Sequence, residues 1–467
     1  MAKSDDATSD PSSNVSRRDF LKTGAAGVAG ATLLGGSAPY VHANSQPVEI
    51  SYAWGPDDSG TLQPIIDDFN REHEGEIRVS WHLMPRASDA FYRQLVSDFE
   101  AGAAYYEVFG ADSPWTASLV RNGWAENLTS RFRDAYSTDQ FMDAAIQSAA
   151  HKLRIYGVPW YTDAGVFFYR RDLLEQNGFS DPPSTWDELT SMAQQVMRNA
   201  EDIEHGLVFQ GDAYEGGVTN ALEYIWNAGG QVMSQRANTG STMGQSTLDP
   251  NVIQANSEAA AAGLDAARGF IEDGITPSAV SSFREEEAWV EFLSGRSVFM
   301  RNWPYVYGLI DAEETRERLD AEPVTADQIG VAPLPSGSAD QRGYSCLGGW
   351  NLMINDNASS RKKDAAWTFI RYMTEEQQQK RRAVGGGFLP TRSALYDDAE
   401  MEQQAPGIGL SREAVQQARV RPVSPLYPQM SPRIATAFTQ TLRGDMSAEQ
   451  SVQRLENELT NIMRAAR

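Results

Sequence analysis

The stretch YGVPWYTDAGVFFYRRDLL, residues 156–174, decides how this chain is read. Pro159-Trp160-Tyr161 places aromatic rings in a turn, Asp163-Ala164-Gly165 offers a carboxylate in a tight loop, and residues 166–169 read as a buried strand. An aromatic face beside a fixed carboxylate suits a neutral polyhydroxyl ligand. Its C–H faces stack on rings while its hydroxyls donate to the carboxylate, and neither contact needs a charged ligand. The competing reading is a plain aromatic core, which composition alone favours.

On the N-terminal side the chain alternates strand and helix. Val48, Ile50, Tyr52 and Trp54 share one strand face, residues 55–60 turn, and Leu62, Ile65, Ile66 and Phe69 follow helical spacing. A second unit repeats this with a strand at 77–81, a helical stripe of Tyr92, Leu95, Val96 and Phe99, and residues 107–110 leading into Ala111-Asp112-Ser113-Pro114-Trp115. Such repetition implies an α/β fold with mostly parallel sheets flanked by helices. Ligands then sit beyond the carboxyl ends of the strands, which nominates Asp57, Asp58 and Asp112. Turn formation and helix capping compete for Asp57 and Asp58.

On the C-terminal side the pattern recurs. Thr185-Trp186-Asp187-Glu188 fits a capping box, residues 211–217 a glycine-containing loop and 220–226 a helix. Residues 231–251 are polar and read as a surface excursion. Glu285-Glu286-Glu287 reads as a solvated first helical turn, and Gly385-Gly386-Gly387 as a flexible connector or a close backbone approach. Three more stretches place aromatics and polar groups in loops: Arg301-Asn302-Trp303-Pro304-Tyr305, Leu347-Gly348-Gly349-Trp350, and residues 421–427. Loops of one kind recurring at long intervals point to convergence on one cleft.

Composition narrows the class. Residues 1–43 read as an export leader: Arg17-Arg18 marks the twin-arginine route, a Gly/Ala-rich apolar run follows, and Val41-His42-Ala43 offers a cleavage site before Asn44. The run is too short and glycine-rich to span a membrane, and no cysteine follows it to carry a lipid anchor, so a soluble periplasmic protein is expected. Leader charges cancel, so the net charge of −23 rests on residues 44–467, which disfavours nucleic acid or anionic membranes as partners. Cys346 is the single cysteine, which excludes an intrachain disulfide and multi-cysteine metal sites. No HExxH, GxSxG or phosphate-loop pattern occurs, and no cofactor or metal is expected. The remaining length exceeds what one core serves, so two lobes are expected.

The ordered strings GVPWYTDAGVFFYRRDLL (157–174), GLVFQGDAYEGGVTNALEYIWNAGG (206–230), FMRNWPYVYGL (299–309), IGVAPLP (329–335), LGGWNLMI (347–354) and RPVSPLYPQ (421–429) resemble the extracellular solute-binding proteins of carbohydrate ABC importers, most closely their trehalose/maltose-binding branch. The resemblance runs over nearly all of 47–467. It implies a non-enzymatic, monomeric receptor with a two-lobed periplasmic-binding fold, three crossovers between the lobes, a small glucoside trapped in the cleft, and a membrane permease as partner. On this basis lobe 1 would hold 44–157 and 332–387, and lobe 2 would hold 158–331 and 388–467. The implied site comprises Asp58, Asp112, Tyr161, Asp163, Trp303, Tyr305, Gly349, Trp350 and Arg421. The family branch also has an arginine on the helix after the second strand, and Arg93 matches it only with a two-residue shift. A secreted glycoside hydrolase using Asp112 and Asp163 as its carboxylate pair is the alternative.

Replacing Arg17 and Arg18 together by Lys should hold the precursor in the cytoplasm with its fold untouched, because the export receptor reads the guanidinium pair as an address. Periplasmic protein starting at Asn44 in that variant would contradict the assignment.

Overall fold

The computed structural model describes residues 46–102, 105–233, 252–310, 313–319 and 323–466. The expected leader and all but the first three residues of the expected 231–251 excursion lie outside the described residues.

The first sheet grows around β1 (Val48–Trp54), which pairs in parallel with β2 (Ile77–Leu83) and β3 (Val108–Asp112). Helix Leu62–Glu72 makes the first crossover and buries Leu62, Ile65, Ile66 and Phe69, as the spacing predicts. Helix Ser88–Glu100 makes the second, but it is rotated from the expected stripe. Phe91, Leu95 and Phe99 are its buried apolar residues, because Phe91 packs on Trp54 and on Trp350, with ring centroids 6.2 and 5.3 Å apart. A small hairpin, β4 (Ala150–His151) with β5 (Arg154–Ile155), follows.

The decisive stretch is strand rather than turn and loop. β6 (Gly157–Ala164) carries Pro159, Trp160, Tyr161 and Asp163, and only Gly165 separates it from β7 (Val166–Arg170). β6 belongs to the first sheet and β7 to the second, so one nearly continuous run of backbone crosses between the sheets at Gly165, past the expected 157/158 boundary. The lack of alternation hides this strand, since β6 is buried on both faces for most of its length and reads as a compact apolar segment.

The second sheet orders β10 (Ile329–Ala332), β7, β9 (Ser297–Asn302) and β8 (His205–Val208). The chain returns to the first sheet as β11 (Leu347–Ile354), paired antiparallel with β3 and β6, and β12 (Leu389–Pro390) closes the far edge of that sheet beside β6. Both sheets are therefore mixed rather than mostly parallel. Parallel pairing is confined to strands joined by helices (β1, β2, β3 and β8, β9), while strands arriving across the hinge run antiparallel.

Helices complete each lobe. Helix Trp186–Asn199 starts as expected: the Thr185 hydroxyl accepts from the Glu188 amide at 3.3 Å, while the Glu188 carboxylate accepts from the Ser184 amide at 2.8 Å. The helix expected at 220–226 begins at Glu215 (Glu215–Asn227), and the C-terminal helix Ala448–Ala465 buries Val452, Leu455 and Leu459. The glycine triplet is a close approach: helix Glu376–Gly386 ends on left-handed Gly387, and a Cβ on Gly385 or Gly386 would lie 2.7 Å from Thr61 or Ser59.

Gly349 lies inside β11, beside the register shift between Trp350 and Asn351, with φ +98°. A Cβ there would come within 2.6 Å of the Thr162 Cα and the Tyr161 carbonyl oxygen. Gly349→Ala should cost about 1–3 kcal/mol of stability through backbone strain, read as a lower urea midpoint at unchanged slope.

Candidate functional site

The residues nominated from sequence, Arg93 excepted, lie at the ends of strands of the two sheets and in the segments beside them. After β1, the two aspartates divide the work. Asp57 is the capping residue, accepting from the Leu62 amide at 2.8 Å and from Ser59, with the buried Arg382 guanidinium 3.5 Å away. Asp58 faces outward and forms a two-bond pair with Arg86 at 2.5 and 2.9 Å, whose guanidinium hydrogen bonds hold the Asp58 carboxyl below its ordinary range. The pair is close enough to Tyr305 of the second lobe to perturb its hydroxyl.

From the second lobe come Trp303 and Tyr305, just past β9. The Trp303 indole N–H donates to Glu285 at 3.3 Å, and the Tyr214 hydroxyl donates to the other Glu285 oxygen at 2.7 Å. Glu285 is thus turned into the cleft and is not the solvated residue expected, whereas Glu286 does pair at the surface with Arg318. Burial, then the charges of Glu285 and Asp163, push the Tyr305 hydroxyl far up.

Asp163 sits opposite on β6. No side chain among the described residues donates to it. Burial raises its carboxyl above the usual range, opposed by Arg301 and the Ala164 amide and reinforced by Asp112 and Glu285. The Trp303 ring lies over the Gly348 backbone beside it: a Cβ on Gly348 would meet that ring at 3.0 Å and the Asp163 Cβ at 2.9 Å.

Trp350 forms the aromatic floor but is no free platform. It is edge-packed on Trp54 (4.7 Å) and Trp115 (5.1 Å) and tilted on Phe91, leaving a half-buried ring. Tyr161 joins it through Trp54 (6.1 Å) and leans on Phe388 (5.0 Å). Gly349 contributes backbone, its carbonyl accepting from the Ser113 amide at 3.1 Å.

Asp112 and Arg421 come together directly. The Arg421 fork bridges Asp112 on β3, Ser113 (2.9 Å) and Glu215 (2.7 Å), and Glu215 also accepts from the Tyr427 and Ser431 hydroxyls. Burial works against the Arg421 charge, but Asp112 and Glu215 outweigh it and keep it protonated. Arg93 is not brought in: its side chain is largely exposed and pairs with Asp89 one turn earlier. Arg86, in the loop before that helix, carries the guanidinium bonded to Asp58. Sequence reasoning missed Arg86, Glu285, Tyr214 and Glu215, all isolated polar residues in segments read as loop or first turn. A cavity of about 30 Å³ lies behind Arg301 and Glu223 in the second lobe, room for water but not for a sugar.

Residues 52–380 match the model of the bacterial extracellular solute-binding protein family, and residues 14–34 match the twin-arginine signal sequence. The chain belongs to this family. It is 33% identical to a probable ABC transporter-binding protein of Deinococcus radiodurans, over 81% of this chain and 85% of that one. A mannitol-binding protein of Pseudomonas aeruginosa is 23% identical over 87% and 90% of the two chains. The structure of maltose-bound T. maritima MalE3 superposes with a TM-score of 0.79 at 32% identity, covering 89% of this chain and 100% of that one. This solute-binding protein is therefore a two-lobed receptor, not an enzyme, exported to the periplasm by the twin-arginine route. Among the described residues no helix is long and apolar enough to cross a membrane, and no group of three or more His, Cys, Asp or Glu is placed to hold a metal.

The Asp163 carboxyl of the receptor, raised on folding, contributes stability in acid that is lost as pH climbs from its ordinary value, near 4, through its raised one. Asp163→Asn removes the titration. Its thermal midpoint relative to wild type should therefore rise between pH 4 and pH 7, as scanning calorimetry would show; a constant difference would contradict the burial argument.

Proposed function

We propose that this receptor binds a small glucoside, such as maltose or trehalose, between its lobes and delivers it as a monomer to the permease of an ABC importer. The observation that carries the reading is the pairing of Asp163, a cleft carboxylate without a side-chain donor, with the Trp303 ring that packs beside it. That combination offers acceptors for sugar hydroxyls and a face for sugar C–H groups. The bidentate Asp58–Arg86 pair adds one further acceptor and a planar donor at the rim. The maltose in the T. maritima relative supports the disaccharide class, while the mannitol-binding relative keeps linear polyols among the ligands to be tried. Asp112 and Arg421 enter this reading as a bonded pair, so they present one fixed polar edge and not two independent ligand groups.

Isothermal titration with maltose, trehalose and mannitol tests it. One of the disaccharides should bind with a 1:1 stoichiometry, and Asp163→Asn should weaken that binding by about 1.5–3 kcal/mol, the range for charge-assisted hydrogen bonds. Trp350→Phe, which keeps a ring against Trp54 and Trp115, separates the platform role from the packing role that an alanine would confound. Heat with mannitol alone would replace the disaccharide class by a polyol, and release of glucose on long incubation would overturn the receptor reading.

A further inference from the structure

Two of the three connections between the lobes and the cleft aromatic meet on one buried ion pair. Arg301 is 5% exposed and Glu223 3%, and the guanidinium donates through Nε at 2.7 Å and Nη2 at 2.6 Å to the two Glu223 oxygens. The third arm of the fork is fixed by Gln210 at 3.0 Å, and the Gln210 amide returns a bond to the Arg301 carbonyl. This pair occupies the space left by the missing side chain of Gly165, where a Cβ would overlap Glu223 and Arg301. The Cys346 amide, in the second connection, donates to Glu223 at 2.9 Å, and Gly165 and Cys346 are bonded to each other. The segment around Arg419 lies against the same connection through amides at 2.8 Å on either side. On the cleft side, the guanidinium carbon stacks 4.2 Å from the Trp303 ring centroid.

We propose that Arg301 and Glu223 are positioning residues for ligand binding: their pair holds two of the lobe connections, at Gly165 and Cys346, and the guanidinium stacked behind Trp303 fixes the plane that ring offers in the cleft. The inference rests on the reading of the cleft given above. Its physical content is a shared fork. A planar guanidinium with all three nitrogens bonded cannot tilt without breaking a bond to Glu223 or Gln210, so the ring leaning on it and the backbone wrapped around Glu223 move together. Lysine keeps the charge and loses both the plane and the second bond.

Double electron–electron resonance reads the hinge without a ligand. Labels go on Leu153→Cys in the first lobe and Glu272→Cys in the second, both exposed, while the native Cys346 is buried and unreactive. Arg301→Lys and Glu223→Gln should broaden the interlobe distance distribution and weaken maltose binding by about tenfold. Glu107→Gln, which breaks the pair between this buried carboxylate and the exposed Lys362 inside the first lobe, should lower the melting temperature and change neither readout. If Arg301→Lys does not fold, Glu223→Gln carries the comparison, since it preserves the side-chain shape and the acceptor for Cys346. Unbroadened distributions in the hinge variants, with maltose affinity within twofold of wild type, would overturn the proposal. A wild type that binds no sugar would defeat the proposed function instead, and the ligand-free distributions would still decide this inference.

Discussion

The carboxylate of Glu223 is the constraint on which the two-lobed arrangement depends. It sits on a second-lobe helix, yet it accepts from the backbone of the connection that returns to the first lobe and from the guanidinium of a second-sheet strand. Burying that charge is costly unless every lone pair is used. The sequence around it therefore has little freedom: Gly165 must lack a side chain, Cys346 must present its amide, and Arg301 must be a fork and not a point charge. A well-packed apolar replacement is often as stable as such a pair, so its value lies in fixing where the strands pass and not in the energy of the fold.

What was legible in the sequence was whatever announced itself by spacing or by ring. The helix faces of Leu62–Glu72 and Ala448–Ala465 follow from apolar periodicity, and the Thr185 cap from its four-residue signature. Trp303 and Tyr305 do lie in a short segment just past β9, whereas Leu347-Gly348-Gly349-Trp350, expected as a loop, is the first half of β11, whose glycines disguise a strand. The strand containing Asp163 was misread because Pro159 and Gly165 look like turn residues. β12 pairs only with Tyr161 and Thr162, so Pro159 lies beyond its paired length, and Gly165 marks a change of sheet. Arg86, Glu215 and Glu285 were illegible for a different reason. Each is a lone charged residue whose partner is 28, 206 or 18 positions away, and no local pattern carries that information. Arg93 was nominated by resemblance alone, and its partner, Asp89, four residues off, satisfies it locally.

Two kinds of polar contact bridge the cleft, and they act in opposite senses. Arg421 between Asp112 and Glu215 is a protein–protein interaction that needs no ligand, and with both carboxylates and the fork buried it favours the lobes together. Asp163 and Glu285 face the cleft with no basic residue within ion-pair distance among the described residues. The Glu285 charge raises the cost of keeping Asp163 ionised.

A ligand moves an equilibrium between lobe positions only by the difference in its affinity for them. In the proposed reading, hydroxyls donated to Asp163 remove the unfavourable contribution and leave the Arg421 network as it stands. On that reading the receptor's selectivity for occupied closure thus comes from Asp163, a carboxylate to which the described side chains donate nothing, and the aromatic rings set which sugar face can reach it. A ligand lacking a hydroxyl at that position would stack on the Trp303 ring yet leave the Asp163 carboxylate opposing closure. Binding and closing are then separable properties of the same cleft.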